Sequence, residues 1–65
     1  MIFNDYDVVI AKKNLSEKVN SGCKGAVLIC YENNEYEVEF VDKHGESLEV
    51  LTVAGEDLSP ADTPN

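Results

Sequence analysis

The chain offers few side chains that could carry out covalent chemistry. His44 is its one histidine, and its two thiols, Cys23 and Cys30, stand seven positions apart. Residues that far apart on one strand are separated by about 23 Å, which forbids a disulfide between them. There is no CxxC pair and no second histidine to complete a zinc site. The sequence therefore predicts no catalytic residue, no metal site, no cofactor and no enzymatic activity.

The most regular pattern of ionisable groups is a run in which glutamates alternate with apolar residues. The run is Glu35-Tyr36-Glu37-Val38-Glu39-Phe40. Because successive side chains of a strand point to opposite faces, this run predicts one apolar face and one acidic face, with carboxylates about 7 Å apart. Paired carboxylates act as general acid and base only where their surroundings separate their pKa values, and a solvent-facing stripe on an edge strand gives no such asymmetry. The stripe indicates either a solvated face that discourages edge pairing or a contact surface for a basic partner.

The overall charge points to the same two alternatives. Five lysines and no arginine stand against thirteen acidic residues, a net charge of −8. Such a chain repels a phosphate backbone, so direct binding of nucleic acid is disfavoured. A strongly acidic surface attracts a basic protein, although it also keeps a small protein soluble. The contact candidates are Glu35, Glu37, Glu39, Asp42, Glu46 and Glu49.

The length and the apolar segments limit where the protein acts. A chain of 65 residues makes one domain with a thin core. The longest strongly apolar run, Ala26 to Cys30, is too short to cross a membrane. Two thiols that cannot pair, and an amino-terminal stretch without the pattern of a signal peptide, favour a reducing cytoplasm. We expect a cytoplasmic monomer.

The rest of the chain is typical of short strands joined by turns. We expect Cys23 to be exposed in a Gly22–Gly25 turn, Cys30 to lie in the core, and the Val50-Leu51 pair to mark a bulge or a strand buried on both sides. The three tyrosines are expected in the core or at its edge. The predicted elements are a strand over residues 6–11, a long loop over 12–21, a strand over 26–31, the alternating strand, a strand over 46–53 and one helical turn over 56–58.

These elements predict an all-β fold, a small SH3-like barrel of about five short strands with a one-turn 3-10 helix near the carboxyl terminus. Residues 1–60 would form the single barrel domain, and residues 61–65, which are polar and contain a proline, would be a flexible tail. A five-stranded OB-type barrel fits less well, because no convincing helix lies between strands.

Several of these segments, taken in order, resemble one bacterial family. The most specific is Tyr36–Asp42, and weaker ones are Gly22–Val27 and Asp57–Pro60. Together they resemble the "domain of unknown function 4926" family over roughly residues 5–60. The resemblance implies an SH3-like fold and supplies no catalytic residues. Members look like partners encoded beside polymorphic toxins, which implies an immunity protein of the kind used in contact-dependent inhibition.

Two functions follow as expectations. The first is an immunity protein that neutralises a cognate bacterial toxin, a nuclease with a basic cleft, by presenting acidic side chains where substrate phosphates would bind. The alternative is an SH3-like adaptor or accessory subunit that binds a protein through Tyr31, Val50 or Leu51. A salt-insensitive interaction would favour the adaptor.

Overall fold

The computed structural model describes residues 2–61. It contains five strands and one short 3-10 helix, and the all-β class predicted from the sequence is confirmed. The elements are β1 (Val8–Ala11), β2 (Lys24–Tyr31), β3 (Glu35–Val41), β4 (Ser47–Ala54), the 3-10 helix η1 (Gly55–Asp57) and β5 (Leu58–Pro60).

The five strands form one antiparallel sheet of order β4-β3-β2-β1-β5. Strands β2, β3 and β4 are a meander of consecutive neighbours, and β5 returns to pair with β1. The register of β2 against β3 shifts at Leu28, and the register of β3 against β4 shifts at Leu48. The expected irregularity at Val50-Leu51 is therefore wrong, since these two residues alternate regularly opposite Glu39 and Val38.

Two tight turns give the meander its register. Asn33 and Asn34 both have positive φ, 68° and 60°, between β2 and β3. Asparagine tolerates this left-handed conformation better than most residues do. Gly45 takes φ 83° in the turn between β3 and β4, as its position predicts.

The two glycines of the predicted turn have different roles. Gly22 is exposed with φ 93°, so it serves the turn itself. Gly25 instead lies within β2, where an added Cβ would come within 2.7 Å of Val38 Cγ1 and 2.9 Å of Phe40 Cδ1. Only glycine lets these two β3 side chains pack onto the β2 backbone.

The core lies on one face of the sheet and draws residues from every strand and from two irregular segments. Phe3, ahead of β1, and Val19, in the long loop between β1 and β2, are both buried. Neither belongs to a strand, so these two irregular segments also contribute to the core. The buried apolar residues are Phe3, Val9, Ala11, Val19, Val27, Tyr36, Val38, Phe40, Val53 and Leu58.

A chain of polar contacts ties three segments together at one end of this core. The backbone N–H of Phe3 donates to the Tyr36 hydroxyl at 3.2 Å, and that hydroxyl donates to Asn34 Oδ1 at 3.0 Å. The backbone N–H of Gly55 donates to the Asn34 carbonyl at 2.8 Å. The rings of Phe3 and Tyr36 also meet edge to face, with centroids 5.4 Å apart. The amino-terminal segment, the β2–β3 turn and η1 are thus held as one unit.

Of the predicted flexible tail over residues 61–65, the structure describes Ala61. Ala61 donates its N–H to the Val8 carbonyl at 3.0 Å, and the rest of the predicted flexible tail, residues 62–65, lies outside the described residues. Within residues 2–61 there is no helix long and apolar enough to cross a bilayer.

Candidate functional site

The most distinctive surface is the outer face of the β2-β3-β4 meander, which carries the three alternating glutamates. We call Glu35, Glu37 and Glu39 the acidic stripe. On the other face of the same strand Tyr36, Val38 and Phe40 are buried, so the predicted alternation is confirmed. The stripe stands on the outside because its intervening residues fill the core.

Strand β3 lies inside the sheet, between β2 and β4. The expectation that the stripe occupies an edge strand is therefore wrong. The two edge strands are β4 and β5. These glutamates do not discourage edge pairing, because both sides of β3 are already paired.

Exposed apolar side chains flank the stripe on both sides. Ile29 lies opposite Glu37 on β2 and is 45% exposed, and Val50 lies opposite Glu39 on β4 and is 44% exposed. Tyr31, opposite Glu35, is 43% exposed. The outer face is therefore a negatively charged centre with an apolar border, which can combine electrostatic attraction with apolar contact.

One hydrogen bond organises the middle of this face. The Tyr31 hydroxyl donates to Glu37 Oε1 at 2.7 Å. This hydrogen bond is the main cause that raises the pKa of the Tyr31 phenol, with partial desolvation and the charge of Glu37 adding to it. The contact holds the Glu37 carboxylate in place, and the raised pKa moves deprotonation of the Tyr31 phenol to a more alkaline pH.

The acidic stripe has no ion-pair partner within the described part of the chain. The ion pair found among residues 2–61 joins Lys13 Nζ to Asp57 Oδ1 at 3.4 Å, away from β3. None of the three stripe glutamates is paired with a lysine in that range. The carboxylates are therefore available to a cation from another molecule.

Two further candidates, Asp42 and Glu46, lie in the β3–β4 turn. Asp42 Oδ1 accepts the backbone N–H groups of His44 at 2.8 Å and of Glu46 at 3.0 Å. This carboxylate therefore stabilises the turn, as aspartate commonly does at such positions. Glu46 is exposed beside it.

The last candidate, Glu49, is not on the outer face. It lies opposite Phe40 and is half-buried, and its Oε1 accepts the Ser16 hydroxyl proton at 2.6 Å. The Ser16 Oγ in turn accepts the backbone N–H groups of Lys18 and Val19, each at 3.2 Å. Glu49 therefore fastens the long loop to β4, and the structure does not bring it together with the stripe.

On the β2 side of the apolar border, sequence reasoning named Tyr31 as a contact of the alternative adaptor but did not identify Ile29. The run from Ala26 to Tyr31 is apolar throughout, so it carries no alternation that would separate inner from outer positions. The register shift at Leu28 then decides that Ile29 and Tyr31 face outward. The expectation that all three tyrosines lie in the core or at its edge is wrong for Tyr31 and Tyr6, which are 43% and 79% exposed.

The two thiols are free; Cys23, expected to be exposed, is half-buried, and Cys30, expected in the core, is exposed. Cys30 is exposed, with Sγ 3.3 Å from the Phe3 carbonyl oxygen and 3.4 Å from Asp5 Oδ1, and Cys23 is half-buried just before β2. Desolvation, then the hydrogen bond to Asp5 and nearby negative charge, raise the pKa of the Cys30 thiol. Desolvation and the charge of Asp42 raise the pKa of the Cys23 thiol against the effect of a backbone hydrogen bond. Both groups are thiols, the less nucleophilic form, at neutral pH.

Among residues 2–61, no group of three or more His, Cys, Asp or Glu side chains could hold a metal ion. His44 is exposed in the β3–β4 turn, as expected.

Comparison with known proteins gives one result. No curated protein matches the chain, and no solved structure matches it. A family profile described as "Domain of unknown function (DUF4926)" matches residues 5–60, which include every strand and the whole acidic stripe. The chain belongs to the DUF4926 family.

Proposed function

We propose that this protein is an immunity protein, which binds and neutralises a bacterial toxin nuclease through the outer face of β2-β3-β4. The observation that carries the proposal is the acidic stripe, Glu35, Glu37 and Glu39, presented on one face without a lysine partner in the described chain. The association with toxins suggested by the family resemblance supplies the class of partner. The proposal assigns no catalytic step to the chain.

The stripe would act by occupying a cleft that is built for polyanions. A nuclease binds its substrate with cationic side chains that contact phosphates. Carboxylates spaced about 7 Å apart along a strand can contact several of those cations at once. Charge complementarity of this kind accelerates association and selects the partner.

The apolar border would hold the complex once it has formed. Tyr31 and Ile29 on one side and Val50 on the other are the exposed large apolar residues that flank the stripe. Aromatic residues near the centre of an interface commonly carry much of its binding energy. Tyr31 also fixes Glu37, so its loss would weaken both contributions.

The main alternative is a protein-binding adaptor or accessory subunit that uses the apolar border alone. The exposure of Ile29, Tyr31 and Val50 supports it. Leu51, by contrast, packs against the core and does not reach this face. An adaptor complex would survive high salt, whereas the inhibitor complex would weaken steeply as salt rises.

We also propose that the protein folds as an SH3-like barrel and is a monomer in the cytoplasm. The five-stranded order in which β5 returns to β1 supports the fold, and two free thiols support a reducing compartment.

The test is to mix the purified protein with the product of the adjacent gene and measure binding by calorimetry. We expect a complex at micromolar concentrations or below. Replacing the stripe in the triple variant E35Q/E37Q/E39Q should weaken it at least about tenfold. The matched control is E17Q/E32Q/E56Q, which removes the same charge from exposed residues elsewhere and should change affinity less than about threefold.

Two results would contradict the proposal. One is no complex at micromolar concentrations. The other is equal weakening by the two triple variants, which would show that only net charge matters. A complex that is insensitive to salt and to the stripe, and that is lost when Tyr31 and Val50 become serine, would establish the adaptor instead.

A further inference from the structure

A second surface has the opposite charge. At the end of the sheet where β2 begins and β3 ends, an open groove of about 630 Å³ runs between the long loop and the β3–β4 turn. Lys18, Lys24 and Lys43 line it, and these are three of only five lysines in the chain. A protein of net charge −8 thus gathers most of its cations around one groove.

These lysines are not used by the fold. Within residues 2–61, none of the three makes a side-chain hydrogen bond or an ion pair, whereas Lys13 pairs with Asp57 and Lys12 donates to the Glu56 carbonyl. The groove lining therefore has three lysines that form neither ion pairs nor side-chain hydrogen bonds within the described residues.

One carboxylate, Asp42, also lines the groove. Its Oδ1 already accepts two backbone N–H groups of the turn. Three lysines and one carboxylate give the lining residues of the groove a net positive formal charge.

The remaining lining is apolar as well as polar. Val41 and Leu48 are half-buried and present part of their side chains to the groove. Lysine stems add further apolar surface beneath their charges. A suitable ligand would combine negative charge with an apolar side chain.

We propose that this groove binds an acidic peptide segment of a partner protein, one in which carboxylates flank an apolar residue. The volume falls within the range of ordinary ligand sites. Lysine ammonium groups attract a carboxylate as point charges on flexible stems, without bidentate geometry. A nucleic-acid strand fits less well, because the groove has no aromatic side chain on which a base could stack.

The proposal does not depend on the acidic stripe, since the two surfaces share no residue. The protein would have an anionic face and a cationic groove, each complementary to a different surface. A partner that contacts both would be oriented by the charge pattern as well as held by it.

The test is a titration of the isotopically labelled protein, followed by amide NMR shifts, with the capped pentapeptide Glu-Glu-Leu-Glu-Glu. We expect shifts at Gly22, Lys24 and Gly45, which line the groove. The isosteric peptide Gln-Gln-Leu-Gln-Gln should bind at least about tenfold more weakly. Inorganic phosphate alone should bind more weakly than the acidic peptide, because it offers no apolar contact.

Variants separate the groove from general charge. The triple variant K18Q/K24Q/K43Q should weaken peptide binding about tenfold. The control K12Q, a lysine outside the groove, should change it less than about twofold, and E35Q/E37Q/E39Q should retain it. Alkylation of Cys23, which lines the groove, should slow when peptide is bound, with Cys30 as the internal reference.

The proposal is overturned if the glutamine peptide binds as well as the glutamate peptide, or if the three groove lysines can be replaced without effect. It is also overturned if phosphate binds the groove as tightly as the peptide, which would make the site one for a free anion.

Discussion

The two faces of β3 are built from alternate residues of one strand and are under opposite constraints. The inner residues, Tyr36, Val38 and Phe40, are buried and contact the core. The outer residues, Glu35, Glu37 and Glu39, make one side-chain hydrogen bond within the described chain, from Tyr31 to Glu37. The strand therefore separates the positions that determine stability from those available for recognition, and each set can be changed without the other.

A substitution on the inner face of β3 should have the largest effect on the free energy of unfolding. Phe40 is fully buried, so Phe40→Ala should destabilise the protein by about 3–5 kcal/mol. In a domain this small, such a loss approaches the whole free energy of unfolding. Urea unfolding followed by circular dichroism measures it. A loss below about 1 kcal/mol would show that the core does not depend on β3.

Disturbing the close approach of β2 to β3 should have the second-largest effect on the free energy of unfolding. In Gly25→Ala the new methyl group would meet the buried side chains of Val38 and Phe40, so we expect a loss of about 1–3 kcal/mol. The double variant with Phe40→Leu should lose less than the sum of the two single changes, because the smaller side chain relieves the crowding. Additive losses in thermal or urea unfolding would contradict the contact.

The hydrogen bonds that join Phe3, Tyr36 and Asn34 at the end of the core should contribute less to the free energy of unfolding. Tyr36→Phe removes the hydroxyl that joins the Phe3 N–H to Asn34, which should cost about 1–2 kcal/mol. Tyr6→Phe is the matched control, since Tyr6 is exposed, and should change stability by less than about 0.5 kcal/mol. Equal effects of the two variants would remove the proposed link between the amino-terminal segment and the β2–β3 turn.

A substitution on the outer face should have the smallest effect on stability, but it should change the pKa of Tyr31. Glu37→Gln removes the charge beside the Tyr31 phenol, so the pKa of Tyr31 should fall towards its ordinary value. The free energy of unfolding should change by less than about 0.5 kcal/mol. Carbon-13 NMR of the Tyr31 ring across alkaline pH measures the pKa, and Glu39→Gln serves as the control that leaves it unchanged.

The sign of the associated pH dependence follows from the raised pKa of Tyr31. The folded protein holds this proton more tightly than the unfolded chain does. The stabilisation from the hydrogen bond is therefore complete below the ordinary tyrosine pKa and is lost as pH rises through the raised one. Stability of the E37Q variant should depend less on pH in that alkaline range.

The sequence predicted what local alternation encodes. The β3 pattern places three residues inside and three outside, and the Asn33 and Gly45 turns follow from residue type. The β2 face could not be predicted, because the apolar run from Ala26 to Tyr31 has no alternation and the shift at Leu28 changes its register. Contacts between segments that lie far apart in the sequence could not be predicted either.

Glu49 and Val19 illustrate those distant contacts. Glu49 resembles any other strand glutamate until Ser16, 33 positions earlier, is brought against it. Val19 lies among polar residues in a loop with no periodic pattern, yet it is buried because the loop folds back over the core. Both depend on tertiary packing, which sequence spacing does not record.

The central position of β3 has a consequence for how partners can be distinguished. Both of its hydrogen-bonding rows are occupied by neighbouring strands, so another chain cannot add to it as a strand and must recognise its side chains. The side chains at positions 35, 37 and 39 can therefore be exchanged while the backbone pairing of β3 stays the same. For the proposed function, this means that a new partner would require new side chains on the outer face and no change in strand order.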